Sequence, residues 1–205
     1  MTPTVLDQSD ITDDMPWMDI RLSPETMNYL WDIINQRKHD ESVNRGLAGN
    51  ISKSNYVQDK DNWFYESVLK QYSEHMFYKQ GSSYYDIHVT KTKSLPVFRL
   101  ESMWVNYQKQ HEFNPPHVHD GFYSFVIFMK IPTHWKEQHA LPFSVNSSTP
   151  CASDFQFLSG VPIPNIVLSP EDEGRMLFFH ASLPHQVFPF YGTEEERVTL
   201  SGNII

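Results

Sequence analysis

The sequence predicts an α+β fold in which two N-terminal helices buttress a core of short strands closing into a double-sheeted barrel or jelly roll. Two changes of texture support this. Before residue 80, apolar residues recur at helical spacing in two segments. Beyond residue 95 they alternate with polar ones in short runs separated by Pro, Gly, Asn and Ser. An aromatic content of 14%, with 14 Phe and 10 Tyr, favours strands. A length of 205 residues suits one domain with a real core.

In chain order, residues 1–20 are polar and carry Pro3 and Pro16, which predicts a loosely attached arm. A helix start follows, with Ser23 as N-cap, Pro24 at the first helical position and Glu25 in the first turn. Met27, Leu30, Ile33 and Ile34 continue it to about residue 38. A second helix is expected over 61–78, with Trp63, Phe64, Val68, Leu69, Tyr72 and Met76 as its apolar face and Gly81 as its stop. Together 21–94 form the helical buttress and 95–205 the strand core. Candidate strands are 98–108, 123–131, 154–158, 165–169, 175–180, 186–190 and 197–204. The piece Leu-Ala-Gly-Asn-Ile at 47–51 echoes Leu-Ser-Gly-Asn-Ile at 200–204, too short a match to count as a repeat.

A net charge of −9 with no cluster of Lys and Arg argues against a nucleic-acid surface. No apolar run is long enough to span a membrane, and the acidic N-terminus is unlike a signal peptide. The single cysteine, Cys151, cannot form an intrachain disulfide, so a reducing cytoplasm is expected.

The chemistry concentrates in the histidines. In Asn114-Pro115-Pro116-His117-Val118-His119-Asp120, positions 117 and 119 share a strand face and can converge on one ion. His185, in Leu183-Pro184-His185-Gln186-Val187, could supply a third ligand from a distant strand and leave open positions on a metal such as Fe(II), Zn or Cu. The bland alternative is a set of ordinary surface or core histidines. Further along, Arg197 is a lone cation in an alternating strand, on one face with Thr199, Ser201 and Asn203 and opposite Val198, Leu200 and Ile204. An inward arginine is costly unless an anion pairs with it, and a guanidinium grips a carboxylate well. It could instead sit at an edge, paired with Glu194, Glu195 or Glu196.

The ordered set Tyr107, His117-x-His119, His185 and Arg197 resembles the iron(II)/2-oxoglutarate dioxygenase superfamily, and within it the prolyl-hydroxylase-like branch. Pro-Pro-His-Val-His-Asp-Gly with the following Ser-Phe-Val-Ile-Phe is similar to small oxygenases of this kind in tailed phages and bacteria. The resemblance covers roughly 95–205. It implies a double-stranded β-helix, Fe(II) and 2-oxoglutarate as cofactors, O₂ and an unidentified substrate as partners, and hydroxylation of an unactivated C–H bond with release of succinate and CO₂. His117 and His185 match the family histidines. Arg197, helped by Thr199 or Ser201, matches the cation that binds the far carboxylate of 2-oxoglutarate. Tyr107 falls where such enzymes often place a tyrosine that contacts the co-substrate; a core-facing tyrosine is the competing reading.

One departure matters. His119 stands where the family has a carboxylate, and Asp120 comes one residue later. A three-histidine site is expected, because strand alternation aims residue 119 inward. A bulge could instead bring Asp120 in as the ligand, or only two protein ligands could remain. Ser124 could line the pocket, Lys130 is expected to be solvated, and the connection over 132–164 is where substrate selection could reside. Competing functions are a cupin-like three-histidine dioxygenase that does not use 2-oxoglutarate, and a non-catalytic jelly-roll or phage-associated binding module.

Overall fold

The computed structural model describes residues 15–38, 40–43, 46–79, 96–160 and 163–205. Its framework is two antiparallel sheets. The larger has six strands, β1 (Trp17–Arg21), β2 (Lys53–Tyr56), β3 (Leu100–Gln108), β5 (Tyr123–Lys130), β7 (Arg175–His180) and β9 (Arg197–Ile204), in the order β1-β7-β5-β9-β3-β2. The smaller has β4 (Asn114–His117), β8 (His185–Val187) and β6 (Phe155–Phe157), in the order β4-β8-β6.

Helix α1 (Pro24–Arg37) starts where the sequence places it, with the Ser23 hydroxyl accepting from the Thr26 N–H at 3.2 Å. Its buried face is Thr26, Leu30, Ile33 and Ile34. The second helical segment begins slightly later than the pattern suggests, because Asp61 and Asn62 adopt left-handed backbone (φ 55° and 56°). Asp59 is its cap: the carboxylate accepts from the N–H groups of Phe64 and Tyr65, both at 2.9 Å. A π-turn at Tyr65–Leu69 then leads into α2 (Lys70–Lys79). The stop expected at Gly81 lies outside the described residues.

Both helical segments pack on one face of the large sheet. Their apolar residues join Met103, Val105, Phe125, Ile127, Met176, Phe178, Val198, Leu200 and Ile204 in one core. A second core lies between the sheets, where Val126, Phe128, Leu177 and Phe179 of the large sheet meet Phe155 and Phe157 of the small one. Alternation along β5, β7 and β9 sends successive side chains to these two cores. Gly202 is needed in β9 because an added Cβ would lie 2.6 Å from both the Phe125 ring and the Ser102 carbonyl oxygen.

Strands β1 and β2 are absent from the sequence prediction, and β4 is legible there only through its histidines. The arm expected over 1–20 enters the large sheet at Trp17. Met18 and Ile20 bury, Trp17 stacks on Phe157 at 4.4 Å, and Asp19 receives hydrogen bonds from Arg175. The stretch 21–94 is not purely helical, since β2 pairs with β3. Strand β4 forms despite carrying Pro115 and Pro116. Its pairing with β8 is irregular between Asn114 and His117, where two N–H donors are missing. Conversely, 165–169 is not a strand: Asn165 donates its side-chain amide to Asp154, and only Ile166 forms a bridge, to Phe155.

Candidate metal and co-substrate site

A hollow of about 330 Å³ opens between the two sheets. Its large-sheet wall is the polar face of β3 (Ser102, Trp104, Asn106 and Gln108), then Val126 and Phe128 of β5 and Thr199, Ser201 and Asn203 of β9. Across from it stand the histidines.

His117 and His185 are direct cross-strand partners in the β4–β8 pair. His119 lies just past the end of β4, where its N–H donates to the Ala181 carbonyl at 2.9 Å, and its ring packs against Trp104. One nitrogen from each of the three rings lies within 4.8 Å of the others. The Nε2 atoms of His119 and His185 are 3.3 Å apart. Metal–nitrogen bonds of about 2.1 Å at right angles need nitrogens roughly 3 Å apart, a spacing that the His119–His185 pair approaches.

The surroundings fix the proton state. Nδ1 of His117 faces the Pro115 carbonyl at 2.7 Å, and Nδ1 of His185 faces the Leu183 carbonyl at 3.0 Å. A carbonyl only accepts, so each Nδ1 carries the proton and each Nε2 keeps its lone pair. Burial holds the rings neutral. His185 is enclosed by Phe155, Phe157 and Phe179, and its pKa is pushed down to about 3 by burial first and then by the facing imidazole of His117. Burial, then His117, pushes His119 down to about 4, and burial lowers His117 as well. With its Nε2 lone pair free, His185 can accept from an Nε2–H of His119, or both rings can turn lone pairs to a cation. This donor set suits Fe(II).

The alternative ligand does not join the cluster: Asp120 is exposed at the rim of the hollow, outside the nitrogen set. No bulge brings it inward, because the irregularity in β4 falls before His117 rather than after it.

Arg197 ends the row that Asn203, Ser201 and Thr199 begin. It is not among the residues lining the hollow, but it shares their face of β9 and its register partner Gln108 is one of them. It is 0% exposed, with its guanidinium over the Phe190 ring at 5.1 Å. Among the described residues no ion pair joins Arg197 to Glu194, Glu195 or Glu196; Glu195 binds Lys130 and Glu194 accepts from Gln110. Instead Nη2 donates to the Ser153 carbonyl and hydroxyl at 2.9 and 2.7 Å, while Nε and Nη1 have no partner among the described residues. Burial lowers its pKa to about 10, against the opposing pull of Asp154, so it is charged at neutral pH. Buried guanidinium nitrogens without partners favour an anion nearby.

Tyr107 does not join this site. It shares strand parity with Met103 and Val105 and packs into the helix-side core, where burial raises its pKa to about 12 and its hydroxyl has no partner among the described residues. Ser124 shares the β5 face of Val126 and Phe128 but does not line the hollow; its buried hydroxyl is 2.9 Å from the Gly202 carbonyl and 3.2 Å from Oδ1 of the lining Asn203, and Lys130 is a surface ion-pair partner. Sequence reasoning missed Trp104, Asn106 and Gln108, although polar–apolar alternation in β3 marks them. It also missed the wall formed by residues 46–49, which no local pattern flags.

Comparison with known proteins bears on this geometry. The family model described as "Putative 2OG-Fe(II) oxygenase" matches residues 102–203. Curated proteins give no match. Among solved structures, the viral collagen prolyl hydroxylase vCPH of Paramecium Bursaria Chlorella virus-1 is similar at 14% identity and a TM-score of 0.53, covering 95% of this chain and 98% of that one. An oxidoreductase of the 2OG-Fe(II) oxygenase family from Burkholderia pseudomallei gives 10%, 0.52, 98% and 92%. A Trichoplax adhaerens prolyl hydroxylase, solved with a hypoxia inducible factor oxygen degradation domain peptide fragment, gives 11%, 0.52, 94% and 83%. At these identities the structural likeness is one of fold. The family match spans His117, His119, His185 and Arg197 together, and the chain belongs to the 2OG-Fe(II) oxygenases, enzymes whose cofactors are Fe(II) and 2-oxoglutarate.

Proposed function

We propose that His117, His119 and His185 hold the iron, that Arg197 with Thr199 and Ser201 holds the far carboxylate of 2-oxoglutarate, and that the enzyme hydroxylates a C–H bond of its substrate. The observation that carries this reading is the convergence of three neutral imidazoles on the hollow, with a buried, under-paired guanidinium on the same β9 face as Thr199 and Ser201. The two facing sheets with helices on one side support reading the core as a double-stranded β-helix.

Bound there, iron and 2-oxoglutarate supply the activation of O₂, with release of succinate and CO₂. The chain's own residues do the rest. The Pro115 and Leu183 carbonyls keep two ligand rings in the tautomer that presents Nε2. Phe155, Phe157 and Phe179 exclude water around His185. The hydroxyls of Thr199 and Ser201 and the charge of Arg197 orient the co-substrate along the hollow. The acidic balance, the absence of a basic cluster and the single cysteine support a cytoplasmic setting without a nucleic-acid partner. Among the described residues, no helix is long and apolar enough to cross a membrane.

The test is anaerobic titration of the protein with Fe(II) and 2-oxoglutarate, followed by the visible charge-transfer band of the chelated complex. The wild type should bind one iron and develop the band, and His185→Ala should do neither. Iron binding without a band on adding 2-oxoglutarate would favour the cupin-like alternative. Failure to retain stoichiometric iron would refute the assignment.

A further inference from the structure

The partner of Arg197 is a residue that the oxygenase reading does not use. Ser153 is fully buried in the turn before β6 and has φ +77°, a left-handed backbone that a non-glycine residue keeps only where its surroundings enforce it. The enforcement is visible. The Ser153 N–H donates to the Pro189 carbonyl at 2.9 Å, the Asp154 N–H to the Cys151 carbonyl at 3.1 Å, and the Phe188 N–H to the Asp154 carbonyl at 2.9 Å. Next door, the buried Asp154 carboxylate is held by His139 at 2.9 Å and by the Asn165 amide at 3.1 Å. In this conformation both oxygens of Ser153 turn toward the same guanidinium nitrogen, Nη2, while the Phe190 ring covers the guanidinium face.

We propose that Ser153 is a positioning residue for the co-substrate: it holds Arg197 by one nitrogen, so that the guanidinium is set before 2-oxoglutarate arrives and Nε and Nη1 remain to meet the far carboxylate. This rests on the reading of Arg197 as the anchor. Fixing the guanidinium in advance removes an ordering cost from binding, and the hydroxyl contact is one charge-assisted hydrogen bond. Its loss should therefore weaken only those ligands that reach Arg197.

The experiment compares two 2-oxo acids on the Fe(II)-loaded protein under anaerobic conditions, with the charge-transfer band as readout. 2-Oxoglutarate carries the second carboxylate and 2-oxobutyrate does not. For Ser153→Ala, which keeps a non-glycine residue at the same backbone angle, the Kd for 2-oxoglutarate should rise roughly tenfold. The Kd for 2-oxobutyrate and the iron stoichiometry should stay as in the wild type. Ser153→Gly, which relieves the backbone, should show the same selective loss. Equal weakening of both acids, or recovery of wild-type affinity in the glycine variant, would mean a general packing or strain effect and would overturn the proposal. Unchanged 2-oxoglutarate binding in Ser153→Ala alongside a large loss in Arg197→Ala would overturn it while leaving the anchor reading intact. Unchanged binding in Arg197→Ala would bring down both.

Discussion

Beside the hollow three neutral imidazoles offer lone pairs; further along β9, on the face that lines it, the Arg197 guanidinium is charged, fully buried and short of partners. The histidine end meets its needs locally, since backbone carbonyls occupy the outward nitrogens of His117 and His185 and an aromatic cage surrounds His185. The arginine end does not, because Nε and Nη1 of Arg197 are buried without partners among the described residues. Groups that bind a cation can rest as neutral hydrogen-bonding rings. A group that binds an anion keeps its charge and carries a desolvation cost until the anion comes. The two ends should therefore respond differently to mutation and to pH.

The largest contrast is expected from Arg197→Met. Affinity for 2-oxoglutarate should fall on the order of 100-fold, the equivalent of about 2.7 kcal/mol, by anaerobic titration. The ligand-free protein should keep its stability or gain about 1–3 kcal/mol in urea unfolding, because a buried, under-paired charge has been removed. A ligand-free variant destabilised by several kcal/mol would show that the arginine end is structural rather than poised for a ligand.

The next effect separates the ends by pH. With folded-state pKa values of about 3 for His185 and about 4 for His119, below the ordinary 6.5, the unfolded chain takes up protons as pH falls through 6.5 while the folded chain does not. Their contribution to the stability of chelator-treated protein is thus fully present above pH 6.5 and lost as pH falls toward 4. Tm should drop by several degrees between pH 7.5 and 5, and the drop should shrink in His185→Ala. Arg197 itself stays charged throughout this window. A Tm independent of pH over this range would contradict the neutral-ring account.

The smallest effect tests a corrected position. Tyr107→Phe should leave 2-oxoglutarate affinity within about twofold and stability unchanged or up to about 1 kcal/mol higher, because the lost hydroxyl is buried without a partner. A large loss of affinity would return Tyr107 to the site.

Legibility followed the strength of alternation. Strand β9 matches its expected limits because polar and apolar residues alternate through 197–201, and β7 because Arg175 and His180 bracket an apolar run that feeds both cores. Strand β1 was hidden because Trp17, Asp19 and Arg21 give its other face a mixed character, although Met18, Ile20 and Leu22 carry the period. The ligand strand β4 was legible only through its histidines, since prolines usually argue against a strand. Tyr107 was placed by its distance from His117; the parity of Met103, Val105 and Tyr107 against Trp104, Asn106 and Gln108 gives the correct face. Ser153 left no trace in the sequence, because its role depends on a backbone angle and on a partner in β9.

The prolines of β4 have one more consequence. This strand is an edge of the small sheet, and an exposed edge ordinarily invites a strand of another molecule to add on. Pro115 and Pro116 offer no amide hydrogens for such docking, and the bridge between Asn50 and Phe113 occupies the chain just before them. The segment that presents His117 is thereby guarded against intermolecular β-sheet growth, so replacing both prolines should increase self-association before it disturbs chemistry.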